Sequence, residues 1–137
     1  MGCIQKGGSS EVANVLALGE QSKVSGLNLL NGPGNDQISC TNLAASGCTL
    51  IVFTTGRGNP FGSIVPTVKM STNTELAEKK SNWIDFDAGR LISQGLSFEN
   101  LRDEFIDYIV KVASGKETNN EKYDFREISI FKDGVTL

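Results

Sequence analysis

The sequence predicts an α/β protein, in which a layered αβα domain surrounds a mainly parallel sheet. Short apolar segments of strand type alternate with segments whose apolar residues recur at helical spacing. Residues 49–54 are almost continuously apolar, which is typical of a strand covered on both faces. At 137 residues the chain has about the length of one domain, so we expect residues 1–137 to form a single domain.

The first third of the chain contains three predicted elements. They are a short helix at residues 12–18, a strand at 26–30 and a helix at about 37–46. Ser9 and Ser10 offer hydroxyl caps before the first of them. The turn at 31–36 feeds the second helix, where Asp36 could act as the cap, and Gly47 would end that helix.

The remainder of the chain continues the alternation. We expect strands at 49–54, 64–70, 83–86 and 127–131, and helices at about 74–80 and 98–112. Phe98, Leu101, Phe105, Ile109 and Val112 recur at helical spacing, which makes the last helix the clearest. Ser97 is its expected cap and Gly115 its expected stop. Asn73 or Thr74 should cap the shorter helix, Pro66 should push its strand toward a sheet edge, and the polar stretch 116–122 should be flexible.

Composition excludes several classes of function. The net charge is −3 and the basic residues are scattered, so no nucleic-acid partner is expected. No apolar run approaches the roughly 18 residues that span a bilayer, and we expect no membrane partner and a cytoplasmic location. Cys3, Cys40 and Cys48 lack the spacing of a disulfide framework or zinc site, which favours small buried thiols.

The chain contains no histidine. Histidine is the commonest general base and transition-metal ligand. Either carboxylates, lysine, cysteine or tyrosine carry any chemistry here, or part of the catalytic machinery lies in another part of the protein.

The segment TTGRG follows the apolar strand at 49–54 directly. Ligands in parallel α/β sheets bind beyond the carboxyl ends of strands, so this position favours a site. Gly56 and Gly58 permit close backbone approach, Arg57 offers a planar fork for a carboxylate or phosphate, and Thr54 and Thr55 add hydroxyl groups. The alternative is a glycine turn with a solvated arginine. The spacing is GxGxxxG, which differs from the dinucleotide fingerprint.

Two further glycine segments, KGGSS at 6–10 and NGPGND at 31–36, are each expected to open a helix. Free N–H groups at a helix start attract anions, so Gly32, Gly34 and Asn35 are candidate ligand contacts. Plain capped turns are the alternative for both. Lys69 lies at the end of a predicted strand and could be a base or an anion partner, although solvated lysines are commoner.

Asp85 and Asp87 are two residues apart in WIDFDAG, so an extended backbone would point both carboxylates to one face. Such a pair could hold a divalent cation or share a proton. A strand end that runs into an Asp-Ala-Gly turn is the alternative.

Several segments together resemble the C-terminal region of the altronate and galactarate dehydratases. They are KGGSS, GLNLLNGPGND, FTTGRGNPFGSIVPTVKMSTNTEL, WIDFDAG, VASGK and FREISIFKDGVTL. The resemblance covers essentially the whole chain, and TTGRG followed by VPTVK is more specific than a single glycine loop. Asp87 departs from the family pattern, which has asparagine there.

The resemblance implies a fragment of a longer enzyme that removes water from a sugar acid, with N-terminal and central domains elsewhere in the protein. It also implies a divalent metal, Fe²⁺ or Mn²⁺, and a role in hexuronate breakdown. Altronate is the expected substrate and 2-dehydro-3-deoxy-gluconate the product; alternatives are galactarate, a sulfolactate-type elimination, or a non-catalytic anion-binding or assembly domain. A homo-oligomer is a further expectation.

On this basis the expected substrate contacts are Thr54, Thr55, Gly56, Arg57, Gly58, Lys69, Gly32, Gly34 and Asn35. Asp85 and Asp87 are the expected metal ligands. Arg57 would clamp the carboxylate. We also expect the TTGRG loop to lie near the turn at 32–36, so that both could meet one anion. The general base is not assigned.

Overall fold

The structure is a computed structural model that describes residues 5–130. The described residues fall into two compact units. One contains the residues up to Cys48 together with Ser129 and Ile130, and the other is Thr49–Ile128. Each has its own parallel sheet with flanking helices, so the predicted α/β class with parallel strands is confirmed. A single domain spanning 1–137 stays a prediction.

The first unit is built on a two-stranded parallel sheet. Strands β1 (Val12–Leu16) and β2 (Leu27–Leu30) pair side by side, with Leu16 opposite Leu30, and helix α1 (Asp36–Ala45) follows. Leu16 and Cys40 are buried here. The predicted helix at 12–18 is wrong. Its apolar spacing fits either period, and the β-branched residues Val12 and Val15 favour the strand that pairs with β2.

The second unit contains the larger sheet and most of the helices. Its elements are β3 (Ile51–Thr55), β4 (Thr67–Ser71), α2 (Thr74–Lys79), β5 (Phe86–Asp87), α3 (Arg90–Ser93), α4 (Phe98–Ala113) and α5 (Asn119–Lys122). The strands pair in the order β3-β4-β5, all parallel. Because β4 is central, its residues are almost completely buried. Parallel strands require this cover on both faces.

Helix α4 packs its apolar stripe onto this sheet. Leu101 and Val112 are buried, and the ring of Phe105 lies edge-on to that of Phe86 in β5, with centroids 5.0 Å apart. Its ends are as expected from the sequence. The Ser97 hydroxyl accepts a hydrogen bond from the Asn100 N–H, and Gly115 adopts a φ of 102° just beyond the last turn.

Several further segments differ from expectation. Of the strand predicted at 83–86, only Phe86 belongs to β5, and residues 83–85 precede the strand. Strand β4 begins only after Pro66, since proline lacks the N–H that a central strand needs. The polar stretch 116–122 contains α5, which Thr118 and Glu121 start with a capping box. Residues 127–130 are not a strand, and Phe131, the last residue of that prediction, lies outside the described residues.

The register of the larger sheet places three strand ends together. Thr55 pairs with Ser71, and Ser71 pairs with Asp87, so β3, β4 and β5 end side by side. The loops that follow them therefore emerge at one edge of the sheet. This is the carboxyl edge, where parallel α/β sheets bind ligands.

Candidate functional site

The TTGRG segment turns out of β3 at the carboxyl edge, as the sequence predicts. Thr54 and Thr55 are the last residues of the strand, and the next three form the loop. The Thr55 carbonyl accepts the Thr72 N–H at 3.0 Å, which continues the pairing one residue beyond β4. The Thr55 hydroxyl accepts the Gly58 N–H at 2.9 Å. Thr55 therefore shapes the loop, and the Gly58 amide is already engaged.

Gly58 is required by the path of the loop. Its φ is 87°, a region that side chains strain, and a Cβ there would lie 3.0 Å from Leu76 Cδ1. The two amides before it are different. Within residues 5–130, the N–H groups of Gly56 and Arg57 donate to no protein group. These two amides are available to an anion.

Arg57 borders a cleft of about 300 Å³ between its loop and α2. The cleft is lined by Gly56, Arg57, Asn73, Glu75, Leu76, Lys79 and Lys80. Three of these side chains are cations and one is an anion. Arg57 is exposed and forms no ion pair with any residue that the structure describes. An unpaired guanidinium beside two lysines favours a small anionic ligand.

Lys80 does not extend freely into this cleft. Its ammonium group lies 4.3 Å from the centre of the Trp83 ring, a cation–π arrangement that restricts the side chain. Lys79 is exposed in the last turn of α2. Arg57 and Lys79 are therefore the two cations that a ligand could reach most directly.

Lys69 is not among the residues that line the cleft. Its side chain is only 1% exposed, in the central strand β4. Its backbone N–H donates to Asp85 Oδ2 at 2.9 Å, and the charge of Lys69 favours the ionised form of Asp85. A contact between Lys69 and substrate stays a prediction, but the burial of this residue favours a structural role.

Asp85 is held by three donors. Besides the Lys69 N–H, its Oδ1 accepts the Asn119 N–H at 2.7 Å and the Tyr108 hydroxyl at 3.3 Å. Burial raises the pKa of the Asp85 carboxyl above its ordinary value, although these hydrogen bonds and the Lys69 charge oppose the rise. Burial and the charge of Asp85 together raise the pKa of Tyr108. Asp85 thus ties β4, α4 and the start of α5 together.

Asp87 makes a different contact. Its Oδ1 accepts the Gly89 N–H at 2.8 Å, which is the Asp-Ala-Gly turn that was the alternative to metal binding. The oxygens of Asp85 already accept hydrogen bonds from β4, α4 and α5. These contacts do not favour a divalent ion held between the two carboxylates. Within residues 5–130, no group of three or more His, Cys, Asp or Glu side chains converges as a metal site. Metal binding by Asp85 and Asp87 stays a prediction that their contacts do not support.

The second glycine loop, at 31–36, lies in the first unit. Asn35 caps α1 by accepting the Ile38 N–H at 3.3 Å, so the prediction of Asp36 as the cap is wrong. Gly32 lies so close to the buried Asn42 that a Cβ would be 2.6 Å from Asn42 Nδ2. Asn42 also donates to the Asn31 carbonyl at 3.0 Å. These contacts give Gly32 and Asn35 structural roles, while Gly34 has open space around it.

The other predicted helix start, KGGSS, leads into strand β1, so that prediction is wrong. The roles of Gly32, Gly34 and Asn35 in ligand binding, and the nearness of their loop to TTGRG, stay predictions. Cys40 is buried and Cys48 half-buried; Cys3 lies outside the described residues. Within the described part of the chain, no helix has the length and apolar character needed to cross a membrane.

Five of the seven residues that line the cleft were not predicted as site residues from the sequence, namely Asn73, Glu75, Leu76, Lys79 and Lys80. Lys79 and Lys80 are ordinary charged positions at the end of a short helix, and nothing in their spacing marks them. Asn73 was predicted as a cap, which is confirmed by its acceptance of the Leu76 N–H at 2.9 Å. Its second contact, with the Gly56 carbonyl, depends on the pairing of β3 with β4. The segment VPTVKMSTN at 65–73, which belongs to the family resemblance, was the sequence signal that pointed to this region.

The fold and the cleft define a parallel α/β protein with an arginine-bearing glycine loop at the carboxyl edge of its sheet. The chain belongs to the D-galactarate/altronate dehydratase family, and residues 1–136 match the family's C-terminal region. It is 58% identical over all 137 residues to altronate dehydratase of Escherichia coli (strain K12). It is 56% identical over the same length to altronate dehydratase of Bacillus subtilis (strain 168).

A more distant relative is the L-threo-forming galactarate dehydratase of Escherichia coli (strain K12), 38% identical over 118 residues, which are 85% of this chain and 23% of that protein. The chain spans 28% of the length of each of the two altronate dehydratases. The resemblance to the family's C-terminal region is therefore confirmed.

Proposed function

We propose that this chain is the C-terminal part of an altronate dehydratase that converts altronate to 2-dehydro-3-deoxy-gluconate and water. The observation that carries the proposal is the identity of 58% and 56% to two altronate dehydratases over the whole chain, against 38% to a galactarate dehydratase. On this proposal the missing N-terminal and central domains supply the rest of the active site. A cytoplasmic location and a homo-oligomeric state belong to the same proposal.

The reaction needs a group that holds the substrate carboxylate. Removal of the C2 proton leaves the electron pair of the C2–H bond delocalised onto the carboxylate as an enediolate. This pair then expels the C3 hydroxyl group, which takes up a proton and leaves as water, and an enol remains. The enol then becomes the 2-keto-3-deoxy acid. Negative charge therefore grows on the carboxylate oxygens during proton removal, and donors aimed at them stabilise the transition state.

Arg57 is suited to that role. It is an exposed fork without an ion-pair partner among the described residues, and the two unengaged amides of Gly56 and Arg57 lie in the same loop. Lys79 in the same cleft adds a second positive charge. Together they can bind the carboxylate in the ground state and bind it more strongly as charge accumulates.

The divalent ion implied by the resemblance would stabilise the same charge. The contacts of Asp85 and Asp87 do not favour such an ion, because both oxygens of Asp85 and Oδ1 of Asp87 already accept backbone N–H groups. Within this part of the protein, the proposal therefore assigns stabilisation of the carboxylate charge to Arg57, Lys79 and the loop amides.

The test is an assay of the full-length protein on a panel of aldonates and aldarates, with formation of 2-keto-3-deoxy acids as the readout. We expect altronate to have the highest kcat/KM. The 137-residue chain alone, supplied with Fe²⁺ or Mn²⁺, should show no turnover, because it has no histidine and lacks the other domains. A full-length protein that prefers galactarate, or dehydrates no sugar acid, would contradict the proposal.

A further inference from the structure

Asn73 joins the arginine loop to the neighbouring helix. It lies two residues beyond β4 and caps α2, where its Oδ1 accepts the Leu76 N–H at 2.9 Å. Its Nδ2 donates to the Gly56 carbonyl at 3.0 Å, across 17 residues of sequence. One side chain thus holds a helix start with its acceptor and the loop with its donor.

The backbone of Asn73 is itself fixed from two sides. The buried Ser71 hydroxyl donates to the Asn73 carbonyl at 2.6 Å and accepts the Asn73 N–H at 3.2 Å. Gly89 packs against it so closely that a Cβ at position 89 would lie 2.5 Å from the Asn73 Cα. Asn73 is therefore a rigid point from which the loop can be positioned.

The contact with Gly56 determines the orientation of the peptide that leads into Arg57. The Gly56 carbonyl and the Arg57 N–H belong to one planar trans peptide, so they point in opposite directions. A donor that fixes the carbonyl also fixes where the Arg57 N–H points. On the other side of Arg57, the Thr55 hydroxyl holds the Gly58 N–H at 2.9 Å. The loop is held both before and after its arginine.

We propose that Asn73 is a positioning residue that orients Arg57 and its amide toward the substrate carboxylate. This inference rests on the proposed function. Both halves of the carboxamide are needed. Aspartate would keep the acceptor that caps α2 but would place an oxygen against the Gly56 carbonyl. Serine would keep a cap but is too short to reach Gly56.

The test uses Asn73→Ser and Asn73→Asp in the full-length protein, assayed with altronate. Both variants should keep the far-ultraviolet circular dichroism and nearly the melting temperature of the wild type, since both side chains can cap α2. Their kcat/KM should fall about 10-fold to 100-fold, because a small displacement of a binding group weakens its contact with the transition state. Ser97→Ala is the control. It removes the cap of α4, so it should lower the melting temperature and leave kcat/KM unchanged.

A double-mutant cycle shows whether Asn73 acts through Arg57. Once Arg57→Lys has removed the fork, Asn73→Ser should cost clearly less than it does in the wild-type background, because only the backbone N–H of residue 57 is left for Asn73 to position. Fully additive losses, unchanged kinetics in both Asn73 variants, or unfolding of both would overturn the positioning role. If the wild type dehydrates altronate in those cases, the proposed function stands and only this inference fails. A wild type without dehydratase activity overturns both.

Discussion

At the scale of single residues, Asp85 illustrates how a half-buried carboxylate can serve a fold. Its oxygens accept hydrogen bonds from the Lys69 N–H, the Asn119 N–H and the Tyr108 hydroxyl, which belong to separate elements. Backbone N–H groups in a buried place need such acceptors, because an unpaired one is costly. The carboxylate therefore accepts the Lys69 N–H in place of a neighbouring strand, and it accepts the free Asn119 N–H in the first turn of α5.

Replacing Asp85 by asparagine should destabilise the protein by about 1–3 kcal/mol. The NH2 group of asparagine would replace one acceptor oxygen, so two hydrogen-bond donors would face each other. The measurement is the free energy of unfolding in urea. Asp107→Asn removes the same charge from an exposed position of α4 and should change that free energy by less than about 0.5 kcal/mol. Equal effects of the two substitutions would show that the contacts of Asp85 contribute nothing.

The pH dependence of this difference has a definite sign. Because the pKa of Asp85 is raised in the folded protein, the folded state binds the proton more tightly than the unfolded state. The stability that wild type has relative to Asp85→Asn should therefore increase as the pH falls through the raised pKa, and level off below the ordinary pKa of aspartate. A difference that shrinks on acidification would contradict the raised pKa.

At the scale of elements, the starts of α2 and α3 approach each other closely at Gly89. A Cβ on this residue would lie 2.3 Å from the Thr74 N and 2.5 Å from the Asn73 carbonyl carbon. These are backbone atoms, which cannot move aside as the end of a side chain can. The glycine thus permits the contact between the loop after β5 and the N-terminus of α2.

Gly89→Ala should cost about 1–3 kcal/mol or more of stability, because the two segments must separate. Gly95→Ala provides the control. That glycine has a positive φ of 63° but no atom within 4 Å of an added Cβ, so only backbone strain of about 1–2 kcal/mol applies. Thermal unfolding of both variants checks the prediction, which fails if Gly89→Ala is the milder of the two.

Elements with local signals could be predicted from the sequence. The 3.6-residue period and the Ser97 cap identified α4, and Asn73 identified the start of α2. The sequence predicts a helix where strand β1 forms, because the few apolar residues there suit both the helical and the strand period. Pairing with β2 decides in favour of the strand. The capping box of α5 lies in a polar stretch, and its tertiary contact through Asn119 has no sequence signature.

At the scale of the whole molecule, the candidate site depends on strand order. The sequence placed Arg57 after a strand end, and that position is confirmed. It could not show that α2 would contribute Lys79 to the same cleft, because this follows from the pairing of β3 with β4. It also could not show that Lys69 would be buried, since a lysine in a central strand contradicts the usual pattern.

The most direct test of the central claim compares wild type and Arg57→Lys in the full-length protein, by kcat/KM for altronate and by melting temperature. Lysine keeps the charge but loses the bidentate fork, so transition-state stabilisation should fall by about 2–4 kcal/mol while the melting temperature stays the same. Arg102→Lys, on the exposed face of α4, should change neither. Two results would contradict the claim. Unchanged kcat/KM in Arg57→Lys would show that the loop is a structural turn, and a strongly lowered melting temperature would show that Arg57 stabilises the fold.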